Sequence, residues 1–229
     1  MNIVILTGAG VSAESGLATF RDADGLWEGH DIHEVATPEA FAHNPALVQR
    51  FYDERRAQLK TVEPNAAHHA IARLQREYPG TVTLITQNVD DLHERAGSPS
   101  VIHMHGELFS AWCTGCNARM RWTLGLSGQP PCPRCNQPRL RPDIVWFGEI
   151  PYYQDEIHEA LANVELFAAI GTSGVVYPAA GYGQAARLHG AQTALLNLDA
   201  GVDNAYFDEV HAGPATEIVP AWVQELLSR

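Results

Sequence analysis

Ile3-Val4-Ile5-Leu6-Thr7-Gly8-Ala9-Gly10-Val11-Ser12-Ala13-Glu14-Ser15-Gly16 begins as four aliphatic residues and turns abruptly into a glycine-rich stretch. A short apolar run bounded by a turn signal reads as a buried strand. Gly8, Gly10 and Ala13, directly after it, satisfy G-x-G-x-x-A. Glycines at such a turn let backbone amides approach a pyrophosphate at a helix N-terminus. The usual next element, a second strand ending in an acid about twenty residues on, is missing. Glu28 lies at that distance, but in a polar, turn-rich stretch. An ordinary dehydrogenase context therefore fails, while a nucleotide site survives.

Further strands are expected at Val82 to Ile85, Leu166 to Ile170 and Thr193 to Leu198, and helices alternate with them. Thr37-Pro38 and Asn44-Pro45 read as N-cap plus N1 pairs, and Asn65 starts a helix to about Tyr78. Pro151 to Asn163 and Pro220 to Leu227 also read as helical. The alternation predicts an α/β fold with a Rossmann-like parallel sheet. Each strand ends in small polar groups, at Thr86-Gln87-Asn88-Val89-Asp90, Gly171-Thr172-Ser173-Gly174 and Asn197-Leu198-Asp199. Ligands in open α/β sheets gather at such carboxyl ends. Residues 1–27, 79–107 and 142–229 are assigned to the sheet domain. Residues 28–78, helical and without a strand, and 108–141 read as two insertions that together build a smaller domain.

All four cysteines of the chain fall in two pairs, Cys113-Thr-Gly-Cys116 and Cys132-Pro-Arg-Cys135, with fifteen residues between them. One such pair alone could be a redox couple. Two pairs in a Gly/Pro-rich stretch favour four thiolates around a single structural zinc, a closed shell without an open position for substrate.

The 229 residues suffice for one large domain with a small satellite. A 45% hydrophobic content argues against a disordered chain. A net charge of -12 opposes general binding to a phosphate backbone, so nucleic acid is not expected as a partner. No apolar stretch approaches the roughly 18 to 20 residues of a membrane span, and Met1-Asn2 leads into a strand instead of a basic leader. A cytoplasmic monomer without membrane association is expected.

Taken together, these motifs resemble the sirtuins, the NAD-dependent protein-lysine deacylases, and most closely their bacterial, CobB-type class III members. The likeness covers nearly the whole chain. It is carried by Gly8 to Gly16 with Thr19-Phe20-Arg21, by Gln87-Asn88-Val89-Asp90 and His105-Gly106-Glu107, and by the four cysteines. Val145-Trp146-Phe147-Gly148-Glu149, Gly171-Thr172-Ser173 and Asn197-Leu198-Asp199 complete it. The chain departs from the commoner pattern at Ala18, where many members have proline.

The resemblance implies a chemistry. The amide oxygen of an acyl-lysine attacks the nicotinamide ribose, nicotinamide leaves, and an alkylimidate forms. A histidine base, His105 by position, then lets the 2'-hydroxyl attack, giving free lysine and 2'-O-acyl-ADP-ribose. Asn88 and Asp90 would hold the nicotinamide ribose and carboxamide. NAD would further meet Gly8, Ala9, Gly10, Ser12, Glu14, Ser15, Thr19, Phe20, Arg21, Trp27, Gln87 and Val89. The phosphate and adenosine half would meet Gly171, Thr172, Ser173, Asn197, Leu198, Asp199 and Ala215. An acylated peptide would dock as an extra strand along Val145, Phe147 and Gly148 and along Gly174 to Tyr177.

Val48, Tyr52, Arg55 and Leu59 share one helical face, so Arg55 interrupts an apolar stripe. An exposed basic patch with Arg50 and Arg56 is the plainer reading of that arginine. The Tyr52-x-x-Arg55 pair, with the small Ala36, matches the class III feature that admits acyl groups ending in a carboxylate. Succinyl and malonyl are therefore expected beside acetyl. Two alternatives stand beside deacylation: mono-ADP-ribosyl transfer, and a non-catalytic NAD-binding or zinc-ribbon interaction module.

Overall fold

The computed structural model describes residues 1–18, 26–27, 29–199 and 207–228. In chain order its elements are β1 (Asn2–Thr7), α1 (Gly10–Ala13), β2 (Leu26–Trp27), β3 (His30–Asp31), α2 (Ile32–Val35), α3 (Pro38–His43) and α4 (Pro45–Leu59). Next come α5 (Ala66–Glu77), β4 (Thr81–Thr86), α6 (Leu92–Arg95), β5 (Ile102–His103), β6 (Gly106–Cys113), β7 (Arg119–Arg121) and β8 (Leu140–Ile144). The rest are α7 (Gln154–Ala162), β9 (Leu166–Ile170), α8 (Tyr182–Leu188), β10 (Gln192–Asn197), β11 (Glu209–Ala212) and α9 (Ala215–Leu227).

Six strands form one parallel sheet in the order β11-β10-β9-β1-β4-β5. Numbered by their succession along the chain, these strands run 6-5-4-1-2-3, the doubly wound Rossmann order. Side chains alternate across this sheet and both faces are covered. Ile3, Ile5, Leu84, Ala168 and Ala194 pack with α5 and α9, whereas Val4, Leu6, Ile85, Phe167 and Leu195 pack with α7 and α8. Burial on both faces is why β1, β9 and β10 read as unbroken apolar runs.

The strand order reverses between β1 and β9, and there two loops cross. Gly8 N donates to Ile170 O at 3.0 Å, and Gly10 N donates to Gly171 O at 2.8 Å. A Cβ at Gly8 or Gly10 would stand 2.8 Å from the Gly171 backbone. Gly171 itself holds φ +61°, and a Cβ there would meet Val11 N at 2.5 Å. The glycines of the opening motif thus serve backbone-to-backbone packing as well as the turn.

A second body of structure lies beside this end of the sheet. The stripe read on α4 is real: Val48, Tyr52 and Leu59 are fully buried, with Val35, Leu108, Ile144 and Trp146 against them. The antiparallel sheet β7-β6-β8 carries the cysteine loops. Asp53 ties the two together by accepting from Leu126 N, Ser127 N and Ser127 Oγ. Arg56 donates to Leu108 O at 2.7 Å and pairs with Asp53 at 2.8 Å. Arg56 is thereby 2% exposed, and the reading of a solvent-facing basic patch around Arg55 does not hold.

Thr37, Asn44 and Asn65 cap their helices as expected, accepting from Ala40 N, Leu47 N and Ala67 N. Three expectations are corrected, and one strand is added. Helix α9 begins at Ala215, five residues before Pro220, because Glu14 accepts from Thr216 N and Oγ1 and secures the first turn. Helix α7 begins at Gln154 after Tyr153 takes a left-handed conformation. The segment 28–78 is not strand-free, since β3 pairs with β2. Strand β11 is polar and its pairing with β10 supplies what its composition does not signal.

Substituting Gly171→Ala is expected to destabilise the fold by about 2 to 3 kcal/mol through left-handed strain and overpacking. Urea unfolding followed by circular dichroism measures this; an unchanged midpoint would show that the crossing is looser than described.

Candidate functional site

The loops leaving β1, β4 and β9 meet at the carboxyl end of the sheet, and a continuous hydrogen-bonded network joins their side chains. Gln87 N donates to Thr7 O, and its amide Nε2 donates to Thr172 Oγ1 at 2.9 Å. Asn197 Nδ2 donates to Thr172 O at 3.1 Å and brings the end of β10 into the same group. Thr7, Ser12, Thr86, Asn88 and Asp90 are all buried at this end of a parallel sheet. Buried polar groups in such numbers require mutual satisfaction, and the network provides it.

Its proton positions follow from its partners. His68 Nδ1 accepts from Asn65 N at 3.2 Å, which leaves the ring hydrogen on Nε2 for Ser12 Oγ at 3.3 Å. Ser12 Oγ also accepts from Asn88 Nδ2 at 3.1 Å, and its hydroxyl donates to Asp90 Oδ2 at 3.0 Å. Leu92 N donates to the other carboxylate oxygen. Burial pushes Asp90 up to about 6 despite these donors, and burial pushes His68 down to about 4. His93 lies edge-on to the His68 ring and pairs through Nε2 with Thr7 Oγ1 at 3.1 Å, and burial holds it well below the ordinary imidazole value.

Two histidines two residues apart in sequence have opposite electrostatics. His103 Nδ1 faces Asn88 O at 3.1 Å and Nε2 faces the Glu94 carboxylate at 2.7 Å. Both partners accept, so both ring nitrogens carry hydrogen. Burial alone would lower its pKa, but the hydrogen bond and charge of Glu94 outweigh burial and raise it. His105 is half-buried, and its Nδ1 donates to Gln87 O at 3.1 Å. That bond leaves a lone pair on Nε2. Burial lowers the pKa of His105, so the neutral, proton-accepting ring prevails at neutral pH.

The backbone of His105 continues into the second body of structure, where Val145 N donates to His105 O at 2.9 Å. Phe147 N donates to Ala36 O at 3.0 Å. Phe147 and Gly148 are exposed on this edge, and Val175 and Tyr177 are exposed on the loop after β9. Trp146 turns inward and donates from Nε1 to the Tyr52 hydroxyl at 2.9 Å.

Other residues singled out in the sequence are placed as follows. Gly8, Ala9, Gly10, Ser12, Gln87, Asn88, Val89, Asp90, Gly171 and Thr172 lie in or beside the network. Ser173, Leu198 and Asp199 are exposed at the neighbouring strand ends. Glu14 and Ser15 have structural partners, Thr216 for the first and Asn65 Nδ2 for the second, while Ala215 begins α9. Trp27 packs edge-on against Phe51 and Tyr52 of α4. Thr19, Phe20 and Arg21 lie outside the described residues. The sequence reading missed His68 and His93; Thr7 and Thr86 it placed at the strand ends without a role of their own. For His68 a signal existed, because its ring at the third helical position closes a capping box with Asn65.

The four cysteine sulfurs lie within 4.8 Å of one another, with Cys113 to Cys135 at 3.6 Å and Cys116 to Cys132 at 3.8 Å. A tetrahedron with Zn–S bonds of about 2.3 Å has edges of about 3.8 Å, so the set fits zinc and is too open for disulfides. Each knuckle ends in an asparagine at φ 59°, Asn117 and Asn136. Their amides donate to Cys113 O and Cys132 O and close the two turns alike.

A doubly wound sheet with a polar switch point and a four-cysteine ribbon define a dinucleotide-binding protein with a structural metal. The Sir2 family model matches residues 8–178, and the chain belongs to that family. A Caulobacter vibrioides relative named NAD-dependent protein deacylase is 53% identical over 233 residues, spanning 100% of this chain and 98% of the relative. A relative of the same name from Yersinia pseudotuberculosis is 52% identical over 99% of this chain and 82% of its own length. A solved Sir2 homologue in complex with NAD superposes with a TM-score of 0.90 at 39% identity, covering 99% of this chain and 89% of that one.

Pure protein is expected to carry one zinc per chain. Cys132→Ser should lower the metal content and expose residues 108–141 to proteolysis. Metal analysis and limited digestion test this; a metal-free protein that resists digestion and turns over fully would refute it.

Proposed function

We propose that this chain is an NAD-dependent protein-lysine deacylase in which His105 is the general base, and that it accepts acyl groups ending in a carboxylate as well as acetyl. The observation that carries the reading is the fixed tautomer of His105, a neutral ring held through Nδ1 on Gln87 O, in the loop that carries Asn88 and Asp90, with its Nε2 lone pair available. The relatives named as deacylases support the reaction class. NAD supplies the electrophilic ribose carbon and carries the acyl group away.

The chain's own residues orient and move protons. Asn88 and Asp90 face the nicotinamide half. An ionised Asp90 accepts from the carboxamide, and Ser12 and Leu92 N hold its two oxygens in place. His105 Nε2 takes a proton from a ribose hydroxyl, a contribution typically worth about 10² to 10⁴ in rate. Gly8, Gly10 and Gly171 let the backbone approach the phosphates, and Asn197 and Asp199 serve the adenosine side. A peptide backbone adds as a strand between Phe147-Gly148 and Gly174 to Tyr177. The acyl chain then runs toward α4, where Ala36 leaves room and Tyr52 and Arg55 meet its distal carboxylate. A guanidinium binds carboxylate through charge-assisted hydrogen bonds that strengthen as water is excluded. Residues 28–78 and 108–141 act as one small domain in this scheme, a reading supported by the Asp53 and Arg56 contacts.

His105→Ala is expected to stop acyl-ADP-ribose formation while nicotinamide exchange persists, because the base acts after nicotinamide departs. Near-normal turnover by a folded variant would remove His105 from this role. For pH, Asp90 must be ionised, and its raised pKa places the transition at about 6. kcat/KM for NAD should rise with pH through about 6 and level off above it. A profile flat down to pH 5 would contradict the assignment. For acyl choice, Tyr52→Phe and Arg55→Met are expected to lower kcat/KM for a succinyl-lysine peptide by roughly 30- to 1000-fold, and far less for its acetyl version. Equal losses on both substrates would exclude the pair as selectors.

A further inference from the structure

Tyr52 is fully buried, yet its hydroxyl is polar and must be satisfied. Its partner is the indole of Trp146, with Nε1 2.9 Å from the hydroxyl oxygen. An indole N–H only donates, so the direction of this bond is unambiguous. The Tyr52 oxygen accepts from Trp146, and its own hydrogen is left to point elsewhere. No acceptor for that hydrogen is found among the described residues. Burial also raises the Tyr52 pKa, so the hydroxyl keeps its hydrogen across the range in which an enzyme is assayed.

The donor is itself immobilised. The Arg141 guanidinium lies over the Trp146 ring at 3.4 Å from the centroid. Arg141 donates from two nitrogens to Glu149, at 2.8 and 3.0 Å, and that carboxylate also accepts from Trp146 N at 2.8 Å. Phe41 packs against the same indole, with centroids 5.2 Å apart. Trp146 is thus pinned at its backbone and on its ring, and the N–H has one direction available.

We infer that Trp146 is a positioning residue for acyl-group selection: by donating to the Tyr52 oxygen it commits the Tyr52 hydroxyl to act as a donor toward the distal carboxylate of the substrate. A tyrosine without this neighbour could turn its hydrogen into the protein or accept from another group, and a carboxylate ligand would then first have to reorient it. A preset donor avoids that cost. The inference rests on the proposed acyl role of Tyr52 and Arg55. It goes beyond that reading by placing part of the selectivity in a side chain that does not touch substrate.

The test uses succinyl-lysine and acetyl-lysine versions of one peptide with four proteins: wild type, Trp146→Phe, Tyr52→Phe and the double variant. Trp146→Phe keeps a ring beneath Arg141 and removes the donor. It is expected to lower the succinyl-to-acetyl ratio of kcat/KM about tenfold, the size of one good hydrogen bond, and to do so through the succinyl KM with little change in its kcat. In the Tyr52→Phe background the same substitution should change the ratio no further. Thermal unfolding monitors the fold. Should the smaller ring unfold the protein, 3-benzothienylalanine placed at position 146 by codon suppression keeps the indole's shape and lacks only the N–H. A ratio unchanged within twofold in the donor-less variant, while Tyr52→Phe lowers it, would overturn the role of Trp146 and leave the carboxylate reading standing. An unchanged ratio in Tyr52→Phe itself would overturn both. Equal loss on the two substrates would mean that Trp146 is only structural.

Discussion

Everything at the carboxyl end of the sheet depends on the contact of two backbones, Gly8 to Gly10 against Gly171. Parallel strands on either side of a switch point diverge into loops that turn in opposite directions, which leaves a crevice. In this protein the loops after β1 and β9 are pressed together until Gly10 N bonds to Gly171 O at 2.8 Å. No side chain fits between them. The closeness sets where Ser12 and Val11 leave the turn, and therefore where Ser12 Oγ can accept from His68 and Asn88 and donate to Asp90. A glycine contact thus fixes a proton network one turn away.

That network explains how two neighbouring histidines are assigned different states without any metal or ligand. His103 sits between two acceptors and keeps both hydrogens, whereas His105 has one acceptor and keeps one. The strand β5 is short, only Ile102–His103, and carries the first of them; His105 follows in the turn before β6, with Met104 buried between the two. His103 anchors the backbone carbonyl of Asn88, and His105 anchors that of Gln87. Adjacent carbonyls of one loop therefore hold the charged ring and the basic ring at successive steps. The loop that carries Asn88 and Asp90 cannot shift without disturbing both.

Legibility in the sequence followed the distance over which a signal acts. Strand β1, the N-caps at Thr37, Asn44 and Asn65 and the two cysteine knuckles are written within a few residues of themselves, and periodicity or turn chemistry is enough to find them. The start of α9 was misplaced because Pro220 is a strong local breaker, while the stabilising Glu14 lies 202 residues away. Strand β11 was invisible for the same reason, being polar and ordered by β10. For Arg56 the sequence offered only the default of a solvent-facing arginine; its partners are a neighbouring aspartate, Asp53, and a carbonyl on β6. The site histidines divide along the same line. His105 was found through a motif, while His93, whose partner Thr7 is 86 residues off, had nothing local to mark it.

The surroundings of Tyr52 show how far the setting of one buried hydroxyl extends from it. Two buried guanidiniums flank it, Arg56 at 2% and Arg141 at 5% exposure. Burying a charge is costly unless it is paired and hydrogen-bonded, and replacing such a pair by apolar side chains is often neutral or stabilising. Arg141 meets the condition through Glu149, Ile144 O and the Trp146 face, whereas Arg56 meets it only in part, through Asp53 and Leu108 O, its Nη2 being buried with no hydrogen-bond partner among the described residues. Stability alone therefore does not account for two of them in one small core. What they provide is direction. Each spans separate pieces of chain, α4 with β6 for Arg56 and β8 with the Trp146 loop for Arg141. A methionine of similar volume would fill the same space without fixing any angle. Apolar packing has no use for such fixed angles, since apolar contact is indifferent to small rotations. A hydrogen bond depends on them, because it weakens steeply as its angle departs from linear. The charged scaffold in an otherwise apolar core thus argues from cost for a structure that holds one buried polar group, the Tyr52 hydroxyl, in a fixed direction.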